Sequence, residues 1–158
     1  MMHIDNPTSL PITVDYSKSL AEMIEASHCH AVSKQIRERN LPPRPIERKV
    51  VKYLAEVVRF KSPILEKDMS TELNTANLRP ATIEELLAFG TAYQVCHLKY
   101  GGLTALGSIV KDKYQPPKVI CLRQGGEGRD GFATRRLEAK PLDYEEWSRL
   151  RRYLAIRR

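Results

Sequence analysis

The segment KVVKYLAEVVRF, residues 49–60, constrains the architecture of this chain most, because it fits two different secondary structures. Its apolar residues recur with the helical period of about 3.6 residues, which favours a helix. Its composition, with four valines, one tyrosine and one phenylalanine, is typical of a strand. The residues of the segment therefore leave the choice between helix and strand open.

A proline-rich loop precedes that segment and separates it from the N-terminal part of the chain. Pro42, Pro43 and Pro45 lie within four consecutive positions. Each proline fixes its own φ angle and lacks a backbone donor, so neither a helix nor a strand can continue through them. We therefore divide the chain into an N-terminal extension, residues 1–48, and a main domain, residues 49–158, which we expect to pack as one unit.

The extension is predicted to contain one strand and one helix. Residues 12–14, which follow Pro7 and Pro11, are apolar or β-branched, and this indicates a short strand. Ser17 is predicted to cap a helix whose apolar stripe includes Leu20, Met23 and Ile24.

Two further helices are predicted after residue 60. Ser62–Pro63 has the residue types of a helix cap followed by its first turn, and Leu65, Met69 and Leu73 then recur every four residues.

The second of these helices has a clear start. Thr82 and Glu85 have the spacing of a capping box, in which each side chain binds the backbone amide of the other residue. After residue 100 the sequence changes to strand-like segments separated by turns: GGLTALGSIV, KVICLRQ, FATRRLEA and RRYLAIRR. This order predicts an α+β domain, with a strand, two helices and then several antiparallel strands.

The composition bounds the class of protein. The 158 residues are 42% hydrophobic and 28% charged, which is ordinary for a folded domain. No apolar run approaches the roughly 20 residues that cross a bilayer, and the N-terminus lacks the pattern of a signal peptide. The three cysteines are odd in number and widely spaced, which favours a reducing, cytoplasmic setting.

Four segments carry a resemblance to known proteins. VDYSKSLAEMI, RPATIEELLAFG, TALGSIV and YLAIRR are similar to recurring segments of a family of small uncharacterised bacterial proteins, over about residues 12–158. The resemblance implies a bacterial origin and no particular activity.

The same chain order resembles the C-type-lectin fold, of the type found in formylglycine-generating enzymes and in the variable proteins of diversity-generating retroelements. RPATIEELLAF and WSRLRRYLAIRR lie where that superfamily has its second helix and its closing strand. The resemblance implies that residues 49–60 are the first strand and pair with the last strand. It also implies a ligand-binding surface on C-terminal loops, between Arg123 and Arg152.

The chain departs from the lectin pattern at several positions. Adenine-directed diversification of the usual codons does not produce glutamate or lysine, yet Glu138, Lys140, Glu145 and Glu146 occupy the corresponding region. The triplets with which animal lectins bind calcium and sugar are absent, since Trp147 is followed by Ser-Arg. We therefore expect no calcium-dependent carbohydrate binding.

No combination of residues predicts a metal site, a cofactor site or a catalytic site. His28-Cys29-His30 lacks the spacing of paired zinc ligands, even with Cys96-His97 added. The glycines of GGEGRDG match no phosphate-binding loop and indicate a turn. The adjacent pairs Glu84-Glu85 and Glu145-Glu146 accompany no nucleophile and base, so we expect a protein that is not an enzyme.

The strongest candidate site combines arginines with aromatic residues near the C-terminus. This composition is common both in protein-binding hot spots and in surfaces for single-stranded nucleic acid. The candidate binding residues are Arg123, Arg129, Arg135, Tyr144, Trp147, Arg149 and Arg152. The alternative is that these residues bind no partner, because Trp147 belongs to the core and the arginines are solvated.

The predicted function is non-catalytic binding of a protein or another ligand through these C-terminal loops. The alternative is a small basic nucleic-acid-binding protein, since the net charge is +7 and the pI is about 9.4. A second basic cluster surrounds the proline-rich loop and contains Arg37, Arg39, Arg44 and Arg48.

Overall fold

A single mixed β-sheet connects most of the described elements in a computed structural model of the protein. The structure describes residues 2–4, 9–45, 47, 49–61, 64–93, 102–127, 133–141 and 151–158. Within these residues the strands are β1 (Met2–Ile4), β2 (Leu10–Asp15), β3 (Ala31–Val32), β4 (Val50–Phe60), β5 (Leu78–Pro80), β6 (Leu103–Val110), β7 (Lys118–Glu127), β8 (Ala133–Pro141) and β9 (Arg152–Arg157). The helices are α1 (Leu20–Ala26), α2 (Glu66–Thr75) and α3 (Ile83–Ala92). The predicted α+β class is confirmed.

The strands lie in the order β1-β4-β9-β6-β7-β8-β3, with β2 added along β4 and β5 added along β9. Most neighbours are antiparallel; β6 pairs parallel to β9, and β3 pairs parallel to β8. The chain thus leaves the sheet centre after β4 and returns to it with its final strand.

The ambiguous segment 49–60 forms strand β4, which pairs antiparallel with β9. The pairing predicted from the lectin resemblance, first strand against last strand, is therefore observed. Two apolar residues of the helical period, Val50 and Leu54, are exposed, whereas both faces of the strand are covered in its second half. The four consecutive residues from Ala55 to Val58 are all buried, so the alternation of a half-exposed strand is lost.

The N-terminal residues belong to the same sheet and core as the rest of the chain. β2 pairs with β4 over six residues, from Leu10 opposite Ala55 to Asp15 opposite Val50. The predicted strand at residues 12–14 is thus confirmed and is longer than predicted.

Helix α1 is capped by Ser19 and not, as predicted, by Ser17. The Ser19 hydroxyl accepts from the Glu22 amide, and the Glu22 carboxylate accepts from the Ser19 amide. Ser17 instead donates its hydroxyl and its amide to the Asp15 carboxylate in the preceding turn. Both serines suit a cap, and the glutamate three residues later selects the second one.

Helix α2 begins at Glu66 and buries Met69 and Leu73, as the spacing predicts. Leu65 was predicted to share their stripe and does not, since it precedes the helix and is 64% exposed. The predicted cap at Ser62–Pro63 lies outside the described residues. Helix α3 has the predicted capping box between Thr82 and Glu85.

Two apolar clusters cover opposite faces of the sheet. One contains residues of α1 and α3, such as Leu20 and Leu86, with sheet residues such as Val57 and Leu122. The other contains Met69 and Leu73 of α2 with sheet residues whose side chains lie on the opposite face, such as Val58 and Tyr153. We call the two surfaces of the sheet the α1/α3 face and the α2 face.

The last strand, β9, contributes to both clusters. Leu154 and Ile156 are buried on the α1/α3 face, which confirms their predicted place in the core. Tyr153 and Ala155, predicted on the opposite side of the strand, are buried as well, on the α2 face.

Candidate nucleic-acid interface

The structure describes three of the seven candidate binding residues from the sequence. Arg129, Tyr144, Trp147 and Arg149 lie outside the described residues. Of the remaining three, Arg123 lies on the α2 face of the sheet, because it alternates with Leu122 of the opposite cluster. Arg135 and Arg152 lie on the α1/α3 face, because each is two residues away from a leucine of that face, Leu137 and Leu154 respectively. The described members are thus divided between two faces.

Arg135 is a buried side chain that connects β8 to both helices of its face. It is 6% exposed, and its Nη1 donates to the carbonyl oxygens of Ser27 at 2.8 Å and Gly90 at 2.5 Å. Burial lowers the pKa of its guanidinium. A Cβ atom at position 90 would lie 2.8 Å from the Leu122 side chain, so glycine allows this close approach. Arg135 therefore stabilises the packing of α1 and α3 against the sheet.

Arg123 lies on the edge of a small charged group around a buried thiol. Its Nη1 is 3.5 Å from the Glu138 carboxylate, which also contacts Lys140 at 3.2 Å. Cys121, two residues earlier on the same face, is buried, and that burial raises the pKa of its thiol, while the nearby Arg123 and Arg151 oppose the rise. Among the described residues, this group contains three cations, Arg123, Lys140 and Arg151, and one carboxylate, Glu138.

The segment His28-Cys29-His30 has local structural roles. His30 Nδ1 accepts a hydrogen bond from the Arg135 amide, and Cys29 Sγ lies 3.2 Å from the Ser27 hydroxyl. Within the described ranges, no three His, Cys, Asp or Glu side chains lie close enough together to hold a metal ion. Cys96 and His97 lie outside those ranges.

The adjacent residues Glu84 and Glu85 are both buried, and each pairs with its own arginine. The Glu85 carboxylate accepts two hydrogen bonds from Arg79, at 2.6 and 3.0 Å, in addition to its capping contact. Glu84 lies 3.3 Å from Arg44 Nε of the proline-rich loop. The second pair, Glu145-Glu146, lies outside the described residues.

Two basic loops, far apart in the sequence, meet at the end of the sheet where β6 and β7 are joined. Lys111 donates its amide to the Asn40 carbonyl at 2.8 Å, and the Gln35 and Gln115 side chains are 3.4 Å apart. We call residues 33–40 and 111–118 together the loop-end surface. Its position is fixed by Ser33, whose amide and hydroxyl bind the backbone of Leu137 and Ala139 in β8.

The loop-end surface is strongly basic. It carries six cations and two carboxylates, a net charge of +4 in a chain of +7. The cations are Lys34, Arg37, Arg39, Lys111, Lys113 and Lys118. Among the residues that the structure describes, none of these six forms an ion pair with a carboxylate.

The two carboxylates of the loop-end surface have different surroundings. Asp112 accepts from the Tyr114 amide at 3.2 Å and so shapes the turn between β6 and β7. Glu38 lines a cavity beneath the proline-rich loop.

One aromatic side chain projects from the loop-end surface. Tyr114 is 83% exposed, and the Lys113 ammonium lies 5.5 Å from the centre of its ring. An exposed aromatic ring among cations can stack on an unpaired base while the cations contact phosphates. The arrangement has the chemistry of a surface for single-stranded nucleic acid.

Sequence reasoning identified Arg37 and Arg39 as part of a secondary cluster, and it missed Lys111, Lys113 and Tyr114. The signal that could have identified the second loop is the segment KDKYQPPK, three lysines and a tyrosine in a predicted loop. Nothing in the sequence indicates that this loop contacts residues 33–40.

Comparisons with known proteins place the chain in no family: no family model, no curated protein and no solved structure matches it. In the part of the chain that the structure describes, no helix has both the length and the apolar character needed to cross a membrane.

Proposed function

We propose that this protein is a non-catalytic nucleic-acid-binding protein that binds an unpaired strand through its loop-end surface. The observation that carries the proposal is the joining of residues 33–40 and 111–118, by backbone and side-chain hydrogen bonds, into one basic surface with an exposed tyrosine. Six cations on such a surface provide contacts for successive phosphates.

An unpaired strand suits this surface better than a duplex. Tyr114 offers a ring on which a base can stack, and stacking requires a base that is not paired within a helix. Stacking contributes about 1–3 kcal/mol per base and is tolerant of sequence. We therefore expect weak discrimination between sequences.

Fluorescence anisotropy with a labelled 20-nucleotide oligothymidine tests the proposal on the full chain. We expect saturable binding that weakens at least about tenfold in Tyr114→Ala, because the stacking contact is lost. The matched control is Tyr53→Phe, which changes a tyrosine that packs against the core and lies outside the loop-end surface. Absence of binding at low salt would contradict the proposed function.

Binding through the C-terminal loops remains a second proposal. The favourable observation is the charged group on the α2 face, where Arg123 and Arg151 flank Cys121. Trp147→Ala with a pull-down tests this site, and lost binding with unchanged stability would support it. A retroelement-diversified variable protein belongs to the same proposal, and an adjacent reverse-transcriptase gene with a near-copy of the 3′ end would support it.

We also propose that the fold is a variant of the C-type-lectin fold. The pairing of β4 with β9, and the order of β4, α2, α3 and the later strands, support this proposal. An experimental structure that aligns these elements with a lectin-like domain would test it.

A further inference from the structure

A cavity of about 440 Å³ lies beneath the proline-rich loop, and Glu38 of the loop-end surface contributes to its lining. Its size falls in the range of small-ligand sites, which is about 300–1,000 Å³. The apolar part of its lining comes from Leu20, Leu41 and the three prolines of the loop. Its most buried polar members are Glu84 and Tyr16, at 6% and 8% exposure.

The cavity is held open by defined contacts. Arg44 donates its Nη2 to the Lys18 carbonyl at 2.7 Å, and its Nε lies 3.3 Å from Glu84. These contacts attach the loop to the start of α1 and the start of α3. Because prolines restrict the backbone of the loop, little conformational freedom is lost when a ligand enters.

The charge of the lining is opposite to that of the whole protein. Among the lining residues that the structure describes, there are two carboxylates, Glu38 and Glu84, and one guanidinium, that of Arg44. Arg44 contacts Glu84, so these two charges offset each other, and the Glu38 carboxylate leaves the described lining with one negative charge. The remaining net negative charge favours a cation and disfavours an anion.

The buried hydroxyl of Tyr16 adds a neutral polar group. It lies 3.3 Å from the Tyr53 hydroxyl, and burial, the largest cause, raises its pKa. The phenol therefore stays protonated at neutral pH, so Tyr16 adds no charge to the lining.

We propose that this cavity binds a primary amine or guanidinium group attached to a small apolar body. The cationic head lies between Glu84 and Glu38, and the apolar part packs against the prolines and Leu20. Such a group can belong to a free small molecule or to a lysine or arginine side chain of a partner. The proposal is independent of nucleic-acid binding.

Titration of the full-length ¹⁵N-labelled protein with benzylamine tests the charge requirement, with benzyl alcohol as the neutral probe of equal size. We expect saturable shifts of the Tyr16, Leu20 and Glu84 amides with benzylamine, and binding of benzyl alcohol weaker by about tenfold or more. Equal binding of the two probes, or no shift at these amides with benzylamine, would overturn the proposal.

A second titration separates the two sources of the cation. The blocked peptide acetyl-Gly-Arg-Gly-amide carries the guanidinium on a peptide chain. Shifts at the same amides identify a partner side chain as the ligand class. Binding of benzylamine without binding of the peptide identifies a free amine.

Substitution of the carboxylates completes the test. Glu84→Gln keeps the volume of the side chain and is expected to weaken benzylamine binding about tenfold. The matched control, Glu25→Gln, removes one carboxylate from the exposed side of α1 and is expected to leave binding unchanged. If Glu84→Gln alters the fold, as its spectrum would reveal, Glu38→Gln at the exposed rim provides the same test. Unchanged binding in both cavity variants would contradict the assignment.

Discussion

Arginine and lysine have opposite roles in two regions of this protein, the packed α1/α3 face and the loop-end surface. On the packed face, Arg135 is buried and donates to two backbone carbonyls. On the loop-end surface, Lys111 and Lys113 are exposed and, within the described residues, form no ion pair. Position in the fold, and not residue type, therefore separates cations that stabilise the protein from cations that can bind a partner.

Two adjacent arginines of strand β8 show the same difference between a buried and an exposed cation. Arg135 is buried, and Arg136 is exposed on the opposite face. The alternation of a strand is sufficient to give neighbouring arginines different roles.

The largest expected effect on stability comes from the loss of a buried apolar side chain on the packed α1/α3 face. Leu154→Ala removes a side chain that is 1% exposed in the central strand β9, and we expect the free energy of unfolding to fall by about 2–4 kcal/mol. Denaturant unfolding measures it. Val50→Ala, at a strand residue 58% exposed, is the control and should change stability by less than about 0.5 kcal/mol. Equal losses in both variants would place Leu154 outside the core.

Arg135→Met is expected to have the next largest effect. The substitution leaves the Ser27 and Gly90 carbonyls without this donor in a buried site, which costs about 1–3 kcal/mol. Arg136→Met removes the same charge from the exposed face and should be close to neutral. If Arg136→Met destabilised the protein as much as Arg135→Met, the proposed difference between the two faces would be wrong.

Because of Tyr16, we expect the stability of the folded protein to decrease at alkaline pH. Its pKa is raised in the folded protein, so above the ordinary tyrosine pKa of about 10 the unfolded chain loses a proton that the folded chain keeps. Stability is therefore fully present below pH 10 and declines as the pH rises above it, by up to about 1.4 kcal/mol per pH unit. Tyr16→Phe should make this decline shallower in urea titrations at pH 9–11. An identical decline in the variant would contradict the effect.

The sequence was sufficient for features that depend on neighbouring residues. The capping box of α3 requires only Thr82 and Glu85, three residues apart, and both side chains bind as predicted. The sequence is also sufficient to choose Ser19 over Ser17 as the cap of α1, because Glu22 has the capping-box spacing only from Ser19.

Features that depend on distant contacts could not be predicted from the residues alone. Strand β4 lost its alternation because helices cover both faces of the sheet, and the sequence does not state which helices pack there. Likewise, the loop-end surface depends on the hydrogen bond between Lys111 and Asn40, whose residues are far apart in the chain. The sequence shows which residues are charged, whereas only the fold brings the two basic loops together.

The salt dependence of oligothymidine binding tests the central claim most directly. Each phosphate contact on a single strand contributes about −0.7 to the slope of log affinity against log salt. The variant Lys111→Gln/Lys113→Gln should therefore have a slope shallower than that of the parent by about 1.4, with unchanged stability. The matched variant Lys52→Gln/Lys61→Gln, which removes the same charge from exposed residues at β4, should keep the parent slope. Equal slopes in the parent and the loop variant, or an equal change in both variants, would contradict binding through the loop-end surface.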